Sequence, residues 1–425
     1  MQKNIQKIIS SNFIFLWVLF TPYSYIYAKY NELSLIMGGD ALLHAPVYMD
    51  AEYECQNPQN ANIIHFIRNI NSLSMTKTLN TDSTRPAITK LTKSQQDSKS
   101  LTTQQPTIKP KKNTKNLCYD FTNMLQLIAP FISQHDLAFY NQETILGGKE
   151  IGLSSYPTFN SPQEFGDNML KIGFNLISLA NNHTLDRGEK AILNSLQYWK
   201  NKKILAAGSY ESQHEREKPR IFVKNGIKYT MLAYTYGTNG IPLPVGKEYL
   251  VNVYTKEMMA KDIESVRRKV DLLIVSMHWG VEYVFIPTKE QKEIAKFLSE
   301  QGVDIVIGNH PHVIQPIEII DKTLVIYSLG NMISAQNGLE KKIGAFVSLK
   351  ITKNPKNKII ELHDIYADLI YTYHNTSKQD FKIYPFIFLN EAILPNYQTI
   401  YQNYIKILKN KDTNGFLQIG IFNRN

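Results

Sequence analysis

The sequence predicts an α/β fold with a ligand-binding edge at the carboxyl ends of its strands. Short apolar, β-branched runs alternate with segments of helical period, the pattern of strands joined by helices. Six of the runs stop in a polar cluster: Asp40 with His44, Asn141 with Glu143, Asn182 with His183, His278, His310 with His312, and Ser328 with Asn331. Open α/β sheets bind ligands at that edge. The densest cluster is residues 302–312, GVDIVIGNHPH, where a buried-strand run leads straight into two imidazoles. Pro311 fixes one dihedral between them, which holds the rings at a set relative angle. Two neutral imidazoles on a loop suit a borderline divalent metal. A turn with two exposed histidines is the alternative for HPH alone, and the recurrence of polar strand ends weighs against it.

The elements follow in order. Residues 33–37 read as a strand closed by Gly38-Gly39, with Asp40 directly after it. Residues 119–133 have helical period at Phe121, Met124, Leu125, Ile128 and Ile132, and Pro130 bends or ends that helix. Residues 136–140 are a second strand. Ser161-Pro162-Gln163-Glu164 starts a helix ending near Gly173: a capping hydroxyl, proline at the first position, a carboxylate in the first turn. Residues 175–180 are a third strand. Helices over 188–200, 255–269 and 288–301, and strands over 228–236, 270–277, 303–307 and 323–327, complete the core. From Phe346 strands and turns alternate, followed by irregular Tyr-rich sequence. Residues 351–425 are therefore expected as an extension packing on the domain, with His363 and His374 structural or exposed.

With 425 residues and 43% hydrophobic content the chain can bury a large core. Its first 28 residues stand apart. Lys3 and Lys7 precede an apolar run over 8–20, and small or aromatic residues follow to Ala28. That is the pattern of a secretory signal, with an uncleaved anchor over 8–28 as the competing expectation. The net charge of +10 is not spread over the fold. Residues 56–117 carry ten basic side chains against two acidic ones, the leader carries two lysines, and the remainder is balanced. The folded part thus gives no reason to expect nucleic acid as a partner. The basic stretch is rich in Thr, Lys, Ser, Gln, Asn and Pro, too polar to offset the entropy of ordering it, and reads as an insertion. Cys55 and Cys118, the only cysteines, bracket it. In an exported protein this suggests a disulfide, contributing roughly 4 kcal/mol in the chain-entropy account.

The order Asp, acidic residue, Asn-His, His, His-x-His resembles the calcineurin-like metallophosphatase superfamily. The strings GGDALLH, DLAFYNQETILGG, LANNHTLDRG, VSMHWGVEY, VIGNHPHVIQPIE and YSLGN resemble the CapA family of capsule, or poly-γ-glutamate, biosynthesis proteins, over about residues 33–335. The resemblance implies a four-layer αββα sandwich of the metallophosphatase type, spanning residues 30–350. It implies two divalent ions (Mn, Fe or Zn) held by Asp40, Glu143, Asn182, His278, His310 and His312, with Glu143 bridging. His183 would be the general acid or electrostatic donor, oriented by Asp186. His44 would be a further ligand or substrate contact, and Trp279, Glu282, Tyr283, Ser328 and Asn331 would line the mouth. Departures from the phosphatase pattern are Asp-x-x-x-His for Asp-x-His, Glu143 for an aspartate, and Asn309 for a glycine before His310. The implied role is a periplasmic or cell-surface hydrolase acting on a phosphate-containing precursor or a linkage of an anionic envelope polymer, beside a membrane polymer synthase or exporter. Rival expectations are a γ-glutamyl polyamide hydrolase or transferase, and a non-catalytic metal-binding partner of the synthase.

Overall fold

A computed structural model describes residues 31–55, 117–412 and 414–423. The leader over 1–28 and residues 56–116 of the basic stretch lie outside the described residues. The chain divides into two compact units, Glu52–Cys118 and the remainder. The strands are β1 (Glu32–Leu42), β2 (Glu52–Glu54), β3 (Leu117–Tyr119), β4 (Leu137–Asn141), β5 (Leu176–Ser178), β6 (Leu205–Ala207), β7 (Phe222–Lys224), β8 (Ile227–Thr235), β9 (Leu272–His278), β10 (Ile305–Asn309), β11 (Ile317–Ile320), β12 (Thr323–Ile326), β13 (Asn331–Ser334), β14 (Ile343–Lys353), β15 (Ile360–Tyr373), β16 (Lys382–Pro385) and β17 (Gln418–Ile419). In the smaller unit β2 pairs with β3, and Cys55 and Cys118 form a disulfide.

The larger unit holds two sheets. One has the order β16-β15-β14-β1-β4-β5-β6, with β13 also beside β1 and β17 beside β15. The other runs β11-β12-β10-β9-β8-β7. Within them β1, β4, β5 and β6 are parallel, as are β8, β9, β10 and β12.

Period-two alternation sorts the side chains into layers. Leu35, Met37, Leu137 and Phe139 of one sheet share a core with Leu272, Ile274, Ile305 and Ile307 of the other. Their neighbours point outward. Ile36, Ala138, Tyr140 and Ile177 meet Val47, Met124, Phe131, Phe165 and Trp199 of the helices on that side. Leu273, Val275 and Val306 meet Ile263 and Leu298 of helices Lys256–Arg267 and Lys289–Glu300. The result is helix, sheet, sheet, helix: the four-layer αββα sandwich. Strands buried on both faces must be apolar throughout, which is why the core runs lack polar alternation. No helix among the described residues is long and apolar enough to cross a membrane.

Four local expectations change. The helix over 119–133 is two short ones, Thr122–Leu125 and Ala129–Ser133, because Pro130 sits in the first turn of the second, where its missing N–H is harmless. Ser161 does not cap the next helix. Its hydroxyl donates to Thr144 Oγ1 at 2.9 Å, and the helix spans Glu164–Lys171. The C-terminal segment is not an added layer. It supplies β15, β16 and β17 to the larger sheet and a helix, Tyr397–Leu408, whose Leu408 enters the inter-sheet core.

The fourth change matters for the site. β1 does not stop at Gly38-Gly39 but carries Asp40 inside the strand. The glycines let β1 lie against the turn at Gly330. A Cβ at Gly39 would meet Gly330 O at 1.9 Å, and the Asp40 N–H donates to that same oxygen at 2.9 Å. Gly39→Ala therefore forces two backbones apart and is expected to cost roughly 2–3 kcal/mol. A denaturant midpoint equal to wild type would refute this account of the contact.

Candidate metal centre

The carboxyl edges of the two sheets meet, and the side chains expected as ligands gather there. Asp40 lies between Asn141 of β4 and Asn331 of β13 in the strand register. Glu143 is two residues beyond β4. His278 ends β9 opposite Asn309, the last residue of β10, and His310 and His312 follow. Asp40, Glu143, Asn182, His278, His310 and His312 are all buried.

Three groups of side chains have ligand atoms lying within 4.8 Å of one another: Glu143, His278 and His310; Asp40, Glu143 and His312; and Glu282, His310 and His312. Glu143 belongs to the first two, the place of a bridge. Both its carboxylate oxygens are buried with no hydrogen-bond partner, as are His310 Nδ1 and Asn141 Oδ1. Leaving a buried carboxylate without hydrogen bonds is costly. Divalent ions in the two inner groups would supply what the protein withholds, and an oxygen and nitrogen set without thiolate suits Mn, Fe or Zn.

The electrostatics agree with that fit. Burial holds His278 well below its ordinary pKa and takes His310 down to about 3. Both imidazoles are therefore neutral, and His310 Nδ1 has no hydrogen-bond partner. Burial pushes the Glu143 carboxyl well up, against the opposing pull of His312. For His312, burial alone would lower the pKa, but the carboxylates of Glu143 and Asp40 outweigh it and raise it from 6.5 to about 9. In the ion-free chain this pair binds protons tightly, and an incoming cation must displace them. Metal affinity is thus expected to rise with pH between about 7 and 9. Calorimetry in buffers of different ionisation enthalpy should register proton release, and a buffer-independent heat would contradict it. The His312 contribution to ion-free stability has the opposite slope: full below 6.5, lost as pH rises through about 9.

The histidine loop is strained. His310 and His312 sit at φ 98° and 57°, a region that side chains avoid. Asp40 Oδ2 accepts the His310 N–H at 3.1 Å, and His312 Nδ1 lies 3.0 Å from Asn331 Oδ1. Such strain persists where surrounding contacts over-determine it, commonly at functional sites.

His183 is held beside this centre. Its Nδ1 is 2.8 Å from Asp186 Oδ2, which also accepts the Phe159 N–H at 2.7 Å. The Phe159 ring stands edge-on to the imidazole, centroids 4.7 Å apart. Asn182 places its Oδ1 2.8 Å from His278 Nε2 and donates from Nδ2 to Asn239 Oδ1 at 3.1 Å.

Residues 34–336 match the family of bacterial capsule synthesis proteins, PGA_cap. The chain belongs to that family. It is 27% identical over 205 residues to the PGA biosynthesis protein CapA of Bacillus subtilis (strain 168), covering 45% of this chain and 52% of that protein. It is 29% identical over 191 residues to the capsule biosynthesis protein CapA of Bacillus anthracis, covering 43% and 45%. The chain spans about half the length of these curated relatives. Among solved structures it is similar to the 5'-nucleotidase from Candida albicans SC5314, at 12% identity and TM-score 0.34, over 68% of this chain and 52% of that one.

The PGA_cap match takes in every expected ligand, but the mouth of the centre differs from expectation. Glu282 and Tyr283 are exposed there. Trp279 is not: it is fully buried, and its indole N–H donates to Tyr327 O at 2.9 Å. Ser328 is also buried, donating to Val313 O at 2.8 Å and accepting the Gly330 N–H at 3.1 Å, so it locks a turn. Asn331 is buried and positions His312 from behind. His44 lies outside the three ligand groups. Its Nδ1 is 3.2 Å from Leu42 O, its ring is edge-on to Phe159 at 5.2 Å, and burial takes its pKa down to about 4.

Three residues have places that sequence reasoning gave them no role in. Asn141 donates from Nδ2 to Asp40 Oδ1 at 2.8 Å. Asn239 Nδ2 lies 3.3 Å from His183 Nδ1. Tyr236 brings its half-exposed ring to 4.7 Å from that of His310. Each sits at or just past a strand end, the one signal available for them.

Proposed function

We propose that this PGA_cap protein is an exported, metal-dependent hydrolase whose two ligand groups sharing Glu143 would each hold a divalent ion. Its substrate is a linkage in an anionic envelope polymer or in a phosphate-bearing precursor, and it works beside a membrane polymer synthase or exporter. The observation that carries the proposal is Glu143: a fully buried carboxylate, without a hydrogen bond at either oxygen, beside His312 and His278 and shared by two ligand groups. A structural acid would have hydrogen-bond donors. When bound, the ions supply activation of a water and neutralise charge that develops at the reacting centre. The protein's own groups do the rest. Asp186 fixes the ring of His183, so the opposite nitrogen can give a proton to the leaving group. Asn331 and Asp40 hold the histidine loop in its strained form. The leader and the Cys55–Cys118 disulfide support export, since such bonds persist in oxidising compartments.

The test uses the purified protein loaded with Mn, Fe or Zn. Elemental analysis should find two ions per chain, and the loaded protein should turn over an aryl phosphate or a γ-glutamyl oligomer. No ion uptake would sink the proposal. Ions without turnover on either class would reduce the chain to a binding partner of the polymer machinery.

A further inference from the structure

The third ligand group has one exposed member, Glu282. It stands on the turn after β9, and that turn is fastened to the loop carrying the two histidines. The Tyr283 N–H donates to Pro311 O at 2.7 Å. Val284 O accepts from Gln315 Nε2 at 2.7 Å, and Gln315 Oε1 accepts from the buried Gln291 amide at 2.8 Å. Gln291 in turn accepts the Thr288 N–H and closes the capping box of the following helix. Gly280, at φ +89°, makes the approach possible, because a Cβ there would come within 2.7 Å of the Gln291 side chain. Glu282 is therefore delivered to the imidazoles by fixed backbone on both sides. Its side chain hydrogen-bonds the neighbouring Tyr283 hydroxyl, a partner that moves with the same turn. It faces His310, whose Nδ1 is buried without a partner.

We propose that Glu282 is a displaceable ligand on the open side of the centre, where its carboxylate reaches the ligand atoms of His310 and His312, until an anionic substrate oxygen takes its place. This deepens the two-ion proposal above and rests on it. The division of labour follows from burial. Asp40 and Glu143 have no water to turn to, so they are fixed ligands. Glu282 can leave into solvent at little desolvation cost. An arriving group must then out-compete a carboxylate, which a phosphate or second carboxylate can do and a neutral hydroxyl cannot. The centre would thus favour oxyanions over neutral hydroxyl groups at that position.

The test compares wild type with Glu282→Gln in the full protein, at an exposed position where folding is not at stake. The probes are Mn, by titration, and inorganic phosphate, by its binding to the Mn-loaded protein. Losing a ligand should weaken Mn binding about tenfold. Losing a like charge at the open side should tighten phosphate binding roughly tenfold. Unchanged affinity for both probes overturns the inference, and if His312→Ala loses Mn in the same experiment, the two-ion proposal still stands. A wild-type protein that takes up no Mn overturns both.

Discussion

Glu143→Gln is expected to strip the protein of both ions and yet, in the presence of chelator, to melt at a higher temperature than wild type. The two effects have one cause. Glu143 is buried, its oxygens accept no hydrogen bond, and burial pushes its carboxyl pKa well up. In the ion-free chain such a group is a standing cost, on the order of 1–3 kcal/mol for an unsatisfied buried polar atom and more for a charge. The amide keeps the shape and removes the ionisable carboxyl that burial penalises. It cannot bridge two cations, so the ions leave and turnover falls by about 10²–10³ or more. Melting curves with and without chelator, beside elemental analysis, read both arms. A variant that keeps two ions, or that melts lower than wild type in chelator, would mean that Glu143 is an ordinary core acid.

The second large effect should separate proton transfer from metal binding. Asp186→Asn is expected to keep both ions and lose about 10²–10⁴ in turnover. Asp186 Oδ2 serves two donors, His183 Nδ1 and the Phe159 N–H. An asparagine has one acceptor oxygen. Both bonds fall on one oxygen: an asparagine oxygen in that place keeps them without the negative charge that favours the imidazolium, and an NH₂ in that place loses both and favours the wrong tautomer. His183→Ala should match it in metal content and in lost rate. Loss of ions from either variant would move this dyad from proton transfer into the ligand set.

The layers, and the gathering of the polar strand ends, were legible in the sequence to different degrees. Runs such as 270–277 and 303–307 announce themselves because strands buried on both faces must be apolar, and a polar residue at their end is conspicuous. The helix Gly188–Lys200 was legible to the residue. Second-rank roles were not. Trp279, Ser328 and Asn331 follow strand ends just as Glu282 does, but which of them faces water is decided by whether Tyr327 O, Val313 O or His312 lies behind them, and those are contacts between distant segments. Asn141 stands beside Glu143 in the sequence with nothing to signal its role, since only the register of β1 on β4 sets it against Asp40. The helix Tyr397–Leu408 carried its signal in Tyr397, Ile400, Tyr401, Tyr404, Ile405 and Leu408, a helical repeat hidden by the abundance of tyrosine around it.

β1 lies between β4, from early in the chain, and β13 and β14, from late in it. Asp40 cannot be set in place until the stretch near residue 350 has been made and has closed beside it. A nascent chain therefore has no finished pocket to load. Loading of the proposed centre would wait for nearly the whole polypeptide, and if the chain is exported as proposed, the ion would be acquired on the far side of the membrane rather than carried across.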